Sequence, residues 1–217
     1  MYATTICDNF FAQPDDILSF AQSLEYYPSE TGVYPGARSS PLHEINPALF
    51  NYFAEKLFAL LYSNPPDQWM LDAFFQVINP LHEDQYHPKN KGWIHSDVSC
   101  NFGGIVYLNK QPDKDTGTSI YKMKHGFSYQ NSDNVVVKKS HFMRQQVDDD
   151  VYKEAWEENH TQYTKTVSVD AEYNRLLLFN SNTYHGVETF GCTQPRLTLV
   201  FFGKGEMGHD CYPPLYR

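Results

Sequence analysis

The sequence lacks the features that mark a membrane-spanning or secreted chain. No apolar run approaches the roughly 18 residues that a transmembrane helix requires. Met1 is followed by polar and charged residues, with neither a basic segment nor a long apolar stretch, so no secretory signal sequence is indicated. We therefore expect a cytoplasmic protein with no membrane partner.

Paired cysteines and an excess of basic residues are also missing. The cysteines at positions 7, 100, 192 and 211 contain no CxxC pair, which argues against a thiolate zinc site and suits reduced thiols. The net charge is −9 at pH 7, whereas a nucleic-acid binder needs a basic footprint. A nucleic-acid partner is therefore unlikely on this composition, although a small anion held by one local cation is compatible with it.

Aromatic residues are plentiful, with 16 Tyr and 15 Phe in 217 residues. Such a composition suits β-strands and the walls of a pocket better than a helical bundle. The length is enough for one sizeable core, and there is no internal repeat or low-complexity linker, so we expect a single domain over residues 1–217. The oligomeric state leaves no signal in the sequence.

The first part of the chain, about residues 8–66, has helical signals. Pro14 and the acidic pair that follows it favour a first helical turn, and apolar residues then recur at helical spacing up to Leu24. A second helix is predicted from Asn46 as N-cap and Pro47 at the first position, with Asn64-Pro65-Pro66 ending it.

After residue 66 the pattern changes to short strands separated by turn signals, which predicts a β core over about residues 69–203. One polar helix, Asp148 to His160, interrupts this run, since three Asp residues open it. The layout indicates a mainly β sandwich or jelly-roll barrel with the early helices packed on one outer face. Residues 110–165 are long and polar, and fit either a lid over the substrate or a plain surface insertion. The predicted strands are 69–78, 102–108, 116–123, 164–169, 175–179, 183–188 and 196–202.

Two H-x-D pairs are candidate metal ligands, because side chains at i and i+2 of a strand share a face. Chance alone gives roughly 0.6 such pairs at this composition, so a pair by itself is weak. His82 and Asp84 lie in a Pro/Lys/Asn-rich loop and are best explained as solvated. His95 and Asp97 directly precede an apolar strand, which offers the rigid support that a site requires.

Two downstream segments complete the constellation. His185 lies near the start of a later strand and could join His95 and Asp97 in a two-histidine, one-carboxylate set, which leaves three iron(II) positions open. By itself, His185 is better explained as a hydrogen-bonded strand histidine than as a metal ligand. Arg196 and Thr198 follow on the next strand, share a face, and together suit one carboxylate. Because Arg196 is embedded in apolar residues, its charge requires an anion.

This combination resembles the iron(II)- and 2-oxoglutarate-dependent oxygenases, in particular their prolyl 4-hydroxylase-like branch, in which an H-x-D pair is followed by a distal histidine and then by an arginine. Tyr107-Leu108-Asn109 resembles the Tyr-Leu-Asn that ends a core strand in prolyl hydroxylases. The segment 116–121 resembles the one that follows in that branch, but with one glycine instead of two. This difference and PGARSSPL at 35–42 suggest a branch distinct from collagen-type enzymes. The matching residues are His95, Asp97, His185 and Arg196.

The resemblance implies a double-stranded β-helix, or jelly roll, and a set of residue roles. His95, Asp97 and His185 would hold Fe(II), and no catalytic residue beyond these ligands is expected. The co-substrates would be O₂ and 2-oxoglutarate, and the far carboxylate of the latter would be held by Arg196, Thr198 and Tyr107. A C–H bond of a peptidyl or small-molecule substrate would be hydroxylated with release of succinate and CO₂. The carboxylate at position 97 favours hydroxylation over halogenation.

Two other functions are compatible with the same residues. A non-enzymatic jelly-roll module that binds some other partner or has a structural role would bind neither iron nor 2-oxoglutarate. A cupin-like metal-dependent isomerase or hydrolase would bind metal and ignore 2-oxoglutarate, and Arg196 favours the oxygenase over it. Among other residues, Gln76 and Tyr86 are candidate pocket walls, and Cys100 is interpreted as a small residue at a strand end. The remaining polar-segment histidines, expected to be solvated, are His87, His125, His141 and His160.

Overall fold

The computed structural model describes residues 4–62, 68–97, 100–125 and 131–206. The strands are β1 (Thr4–Cys7), β2 (Tyr27–Pro28), β3 (Ala37–Arg38), β4 (Gln68–Ile78), β5 (Phe102–Tyr107), β6 (Thr118–Met123), β7 (Tyr163–Val169), β8 (Leu176–Asn180), β9 (Tyr184–Val187) and β10 (Arg196–Glu206). The helices are α1 (Pro14–Gln22), α2 (Leu42–Ile45), α3 (Pro47–Leu61), α4 (Ser132–Phe142) and α5 (Asp149–Thr161), with a short 3₁₀ turn at Pro88–Asn90.

The strands form two antiparallel sheets. The large sheet has the order β1-β8-β5-β10-β4-β3-β2, and the small sheet has the order β7-β6-β9. Side chains of both sheets share one apolar cluster, to which Leu177 and Phe179 contribute from the large sheet and Ile120 and Val169 from the small one. The sheets therefore face each other, and the mainly β architecture predicted from the strand run is confirmed.

The outer face of the large sheet carries the main core. Alternate residues of β10, such as Leu199 and Phe201, point to this face and meet Phe53 and Leu57 of α3. The rings of Phe53 and Phe201 lie 5.2 Å apart in edge-to-face contact. The prediction that the early helices pack on one outer face is confirmed, and the inner face is left free for a pocket.

Local signals place the predicted helices correctly. Pro14 opens α1, and the side chain of Asn46 accepts a hydrogen bond from the Leu49 amide at the start of α3. Asp148 caps α5 by accepting from the amides of Asp150 and Val151. The predicted stop at Asn64-Pro65-Pro66 lies outside the described residues.

The sequence did not predict three short strands that form only by pairing with distant parts of the chain. The strand β1 pairs with β8, and the two-residue strands β2 and β3 extend the large sheet beyond β4. The helix α4 was also missed, because its mix of Val, Lys and Ser carries little helical periodicity. Among the described elements of residues 110–165, β6 and the start of β7 belong to the small sheet, and α4 and α5 lie outside the sheets.

Among the helices of the described residues, none combines the length and apolarity that crossing a bilayer demands. Cys7, Cys100 and Cys192 are free thiols, and Cys211 lies outside the described part of the chain. Cys100 donates to the Asp97 carbonyl oxygen, and burial raises the pKa of its thiol to about 12. These properties fit a structural residue at a strand end.

The prediction of a solvated His141 is wrong. This histidine is only 6% exposed, its Nε2 lies 2.8 Å from the Lys89 carbonyl oxygen, and its ring packs on Tyr152. His160 is half-buried and stacks on Trp156, whereas His125 is exposed, as expected. The polar sequence context of α4 concealed this burial, because it is produced by contacts with the 3₁₀ turn and with Tyr152 of α5.

Burial of His141 predicts a pH-dependent stability. Removal from water lowers the pKa of its imidazole from 6.5 to about 4. Between pH 6.5 and 4, this histidine is therefore protonated in the unfolded chain and neutral in the folded chain. We expect the free energy of unfolding to fall by up to about 3 kcal/mol for this residue between pH 6.5 and 4. Urea denaturation across this pH range should show that the free energy of unfolding falls less in His141→Gln than in the exposed control His43→Gln. Equal falls in the two variants would contradict the prediction.

Candidate metal centre and its pocket

Three side chains from two distant segments of the chain meet between the two sheets. The ligand atoms of His95, Asp97 and His185 all lie within 4.8 Å of one another. Nε2 of His95 is 3.8 Å from Asp97 Oδ1, and Nε2 of His185 is 3.6 Å from Asp97 Oδ2. Within the described residues, no other cluster of His, Cys, Asp or Glu has this form. Two imidazoles and one carboxylate are the donors of a facial iron(II) site.

Backbone pairing brings these residues together. His95 and His185 form an antiparallel bridge, with amide-to-carbonyl distances of 3.0 and 2.8 Å. The Asp97 amide donates to the Ser181 carbonyl oxygen at 2.9 Å, which continues the same ladder. Because β9 also pairs with β6, this ladder is anchored to the small sheet. The sequence separation of 90 residues between the histidines is thus closed by β-sheet hydrogen bonds.

The two imidazoles are held in the same tautomer. Nδ1 of His95 lies 2.9 Å from the Trp93 carbonyl oxygen, and Nδ1 of His185 lies 2.9 Å from the Thr183 carbonyl oxygen. A carbonyl oxygen only accepts, so each Nδ1 carries the proton and each Nε2 presents a lone pair to the site. Burial lowers the pKa of both imidazoles, which favours the neutral form that a metal ion binds.

The carboxylate of Asp97 lies close to the backbone of β5. A Cβ atom built on Gly103 would come within 3.1 Å of Asp97 Oδ2. Any larger residue at this position would press on the carboxylate, so Gly103 leaves room for it. The glycine at the start of the apolar strand is therefore part of how the site is shaped.

The second H-x-D pair does not join the site. His82 and Asp84 lie in a loop, where His82 stacks on His87 with ring centroids 3.8 Å apart. The amide of Asp84 donates to Nδ1 of His82, so the pair serves a local turn. This position agrees with the prediction of a solvent-facing loop.

Arg196 lies in the same cavity as the three candidate ligands. It is 5% exposed, and its Nε donates to the Thr116 carbonyl oxygen at 3.0 Å. Its Nη2 is buried and, among the described residues, has no hydrogen-bond partner. A buried guanidinium with a free donor is costly unless an anion joins it, so this end of the cavity suits a carboxylate.

Tyr107 and Thr198 stand beside Arg196. They are direct partners in the pairing of β5 with β10, so their side chains share the inner face of the large sheet. The guanidinium carbon of Arg196 lies 5.4 Å from the centre of the Tyr107 ring, and the Tyr107 hydroxyl donates to Thr118 at 2.8 Å. Both residues are almost fully buried. The three residues predicted to hold one carboxylate are thus neighbours.

The helix α5 braces the segment that carries His95. The amide group of Asn159 makes two hydrogen bonds with the backbone of Ile94, at 2.9 and 3.1 Å. Trp156 donates to the Gly92 carbonyl oxygen, and Trp93 donates to the Tyr152 hydroxyl. This part of the polar segment 110–165 therefore supports the candidate ligand, and its motion as a lid stays a prediction.

Removing the Asn159 brace should weaken both the fold and the site. In Asn159→Ala a buried donor and acceptor of Ile94 lose their partners, which costs about 2 kcal/mol of unfolding free energy. We also expect about a tenfold weaker Mn(II) affinity, because His95 is less firmly oriented. Urea denaturation and metal titration measure the two effects. The exposed turn residue in Asn182→Ala is the control, and equal behaviour of the two variants would refute the bracing role.

The cavity around these residues measures about 450 Å³. Gln76 lines it, as the sequence suggested, whereas Tyr86 is exposed in a loop and does not. Sequence reasoning missed two basic residues in its wall, Arg38 of β3 and Lys138 of α4. The one signal for Arg38 was its place in PGARSSPL, a segment that was interpreted only as a mark of a branch distinct from collagen-type enzymes.

A family model agrees with most of the chain. The model described as "Family of unknown function (DUF6445)" matches residues 2–189. The chain belongs to this family. The matched range includes His95, Asp97 and His185 but ends before Arg196. No curated protein matches this DUF6445 sequence.

Solved structures match the fold of this DUF6445 member. HygX from Streptomyces hygroscopicus, with nickel, 2-oxoglutarate and hygromycin B bound, has a TM-score of 0.61 at 14% identity, covering 95% of this chain and 84% of HygX. A prolyl hydroxylase from Trichoplax adhaerens, in complex with a hypoxia-inducible-factor peptide fragment, has a TM-score of 0.54 at 12% identity, with 94% and 84% coverage. A Pseudomonas putida prolyl-4-hydroxylase has a TM-score of 0.50 at 11% identity, with 95% of both chains covered.

These similarities show a shared fold. The DUF6445 chain has the jelly roll of the 2-oxoglutarate and iron(II) oxygenases, as its sequence resemblance implied. The arrangement of two facing antiparallel sheets with helices on the outer face agrees with it. At 11–14% identity the comparison extends to the fold and no further.

Proposed function

We propose that this protein is an iron(II)- and 2-oxoglutarate-dependent dioxygenase that hydroxylates a C–H bond of a peptidyl or small-molecule substrate. The observation that carries the proposal is one cavity with two complementary ends. At one end lie His95, Asp97 and His185, and at the other lies the buried, partly unpartnered guanidinium of Arg196. A metal ligand set beside a carboxylate site is what a chelating keto acid requires.

The donor set fits iron(II). Both imidazoles are neutral and present Nε2, and Asp97 supplies a single carboxylate. Three protein ligands leave three positions of a six-coordinate ion for the keto acid and oxygen. The absence of thiolate from this set disfavours a structural zinc site.

The inner end of the cavity fits the far carboxylate of 2-oxoglutarate. Nη2 of Arg196 would donate to it, and this contact would supply the acceptor that the buried cation lacks. The hydroxyls of Tyr107 and Thr198 now donate to Thr118 and to the Gln76 carbonyl oxygen, so each would have to turn from that acceptor to add a donor to the carboxylate. A forked charge-assisted contact fixes the orientation of the acid as well as its affinity.

Apolar side chains form part of the cavity wall. Phe74, Val200 and Ile105 lie side by side on the inner face of the large sheet, and Phe179 packs on His185 with ring centroids 4.2 Å apart. When bound, iron, 2-oxoglutarate and O₂ supply the oxidation, in which one oxygen atom enters the C–H bond and the other enters succinate as CO₂ leaves. The chain itself supplies ligand orientation, a dry pocket and substrate placement.

The proposal is tested by measuring succinate from 2-oxoglutarate with the Fe(II)-loaded protein in air, after anaerobic loading. We expect succinate formation that depends on both iron and oxygen, and binding of 2-oxoglutarate that requires metal. Metal binding without any affinity for 2-oxoglutarate would favour the cupin-like isomerase or hydrolase. Failure to bind either would favour a non-catalytic binding module.

A further inference from the structure

Two basic side chains in the cavity have no part in the proposed metal and 2-oxoglutarate sites. Arg38 reaches in from β3 and Lys138 from α4, and both line the cavity together with His95 and Asp97. Their charges interact with Asp97 across the cavity. Among the described residues, neither cation forms an ion pair within 4.0 Å, and Asp72, on the exposed rim, is the other carboxylate of the lining.

The guanidinium of Arg38 is held in a fixed position. Its Nε donates to Gln76 Oε1 at 3.2 Å, and Gln76 in turn donates to the Pro35 carbonyl oxygen at 2.7 Å. The guanidinium lies 4.0 Å from the Tyr34 ring centre and 5.4 Å from that of Phe202. The stacked arrangement leaves the terminal nitrogens as donors, and within the described part of the chain they have no acceptor.

Lys138 is the second basic residue of the cavity lining. It projects from α4, and its ammonium lies 5.7 Å from the Phe142 ring centre. Partial burial lowers the pKa of Lys138 and also that of Arg38, the latter to about 10, so a bound anion would stabilise the charged form of both side chains. Asp97 cannot offset both, because its charge is committed to the proposed metal.

We propose that Arg38 and Lys138 form the substrate subsite and bind an oxyanion, a carboxylate or a phosphate, on a small molecule whose apolar part lies along Tyr34, Phe74 and Phe202. This inference rests on the proposed function, since it places the substrate beside the proposed iron. A small molecule is favoured over a nucleic acid because the cavity measures about 450 Å³ and the chain carries a net charge of −9.

Benzoate and phenyl phosphate, with benzamide as the neutral isostere, test the subsite. The protein is loaded with Mn(II) and saturating 2-oxoglutarate, and the paramagnetic relaxation of the probe protons is measured by NMR against a Zn(II)-loaded sample. We expect at least one of the two anions to relax five times or more faster than benzamide. The anion whose protons relax faster shows whether the subsite prefers a carboxylate or a phosphate.

Variants assign the effect to the two cations. Arg38→Gln and Lys138→Gln should each reduce the anion relaxation at least fivefold while Mn(II) and 2-oxoglutarate still bind, which also shows that the variants fold. The matched surface controls Arg144→Gln and Lys139→Gln should change it less than twofold. Each control removes one positive charge from an exposed side chain.

Several outcomes would overturn the inference. Equal relaxation of benzoate, phenyl phosphate and benzamide would do so. Anion relaxation as fast as in the wild type in both Arg38→Gln and Lys138→Gln would do so as well. A signal that falls as 2-oxoglutarate is raised would place the probe at Arg196 instead. Preference for a ten-nucleotide single-stranded DNA over both anions would replace the small molecule by a nucleic acid. If the wild type bound no Mn(II) or no 2-oxoglutarate, the proposed function would fail, and that result is read before any probe is added.

Discussion

Substitution of His185 by alanine should abolish metal binding and, with it, turnover of 2-oxoglutarate. The imidazole supplies one of three donors, and its Nε2 has no other role in the described structure than to face Asp97. Changes to the groups that merely orient a ligand cost about 10–100-fold in metal affinity, so losing the ligand itself should cost at least about a hundredfold. Mn(II) titration and succinate assay measure the two losses.

The matched control is His82→Ala, which removes the histidine of the other H-x-D pair. Since the contacts of His82 are local ones to His87 and to the Asp84 amide in a loop, both measurements should stay near the wild-type values. Urea denaturation of both variants separates a lost ligand from a lost fold. Metal binding that survives in His185→Ala, or disappears in His82→Ala, would rule out the proposed ligand set.

Substitution of Arg196 by methionine should separate 2-oxoglutarate binding from metal binding. Truncating one partner of a buried, hydrogen-bonded charge pair costs about 2–5 kcal/mol, so we expect the Kd of 2-oxoglutarate to rise at least about thirtyfold. Mn(II) affinity should be unchanged, because the guanidinium is not among the three clustered donors. Calorimetric titration of 2-oxoglutarate into the Mn(II)-loaded protein measures the change.

The unliganded protein should respond in a different way. Arg196→Met removes the buried Nη2 that has no partner in the described structure, but it also removes the Nε donor of the Thr116 carbonyl oxygen. These two effects oppose each other, so the free energy of unfolding should change by less than about 2 kcal/mol. The control Arg175→Met removes a partly buried arginine that pairs with Asp8 away from the cavity, and it should leave the Kd of 2-oxoglutarate unchanged. A stable Arg196→Met protein that binds 2-oxoglutarate normally would show that the cation serves another anion.

The sequence alone predicted the parts of the fold that depend on short-range pattern. The cap at Asn46, the acidic start of α5 and the strand periodicity of β4, β5 and β10 act within a few residues, so they are visible in one chain. The strand β1 and the two-residue strands depend on partners far away in the chain. The helix α4 has weak periodicity of its own, so it too escaped prediction.

The candidate ligands were predictable for a related reason. The residues His95 and Asp97 precede an apolar strand, and Arg196 is an isolated charge in an apolar run, so burial of these side chains could be inferred from their neighbours. Whether they would meet His185 depended on the bridge between the two histidines, a contact that spans most of the β core. The sequence named the residues, and the antiparallel ladder decided that they share one site.

The residues around the ligands could only be found in the tertiary structure. Arg38 and Lys138 lie 100 residues apart in segments without a chemical motif, and each looks like an ordinary surface cation. They line one cavity because β3 pairs with β4 and so extends the large sheet, and because α4 brings Lys138 to the cavity wall. The sequence by itself thus determined the jelly-roll pattern and the candidate iron and 2-oxoglutarate residues, because strand periodicity and local context are short-range properties. Only the packing of distant elements decided which charges line the cavity, because no interaction within either segment brings them there.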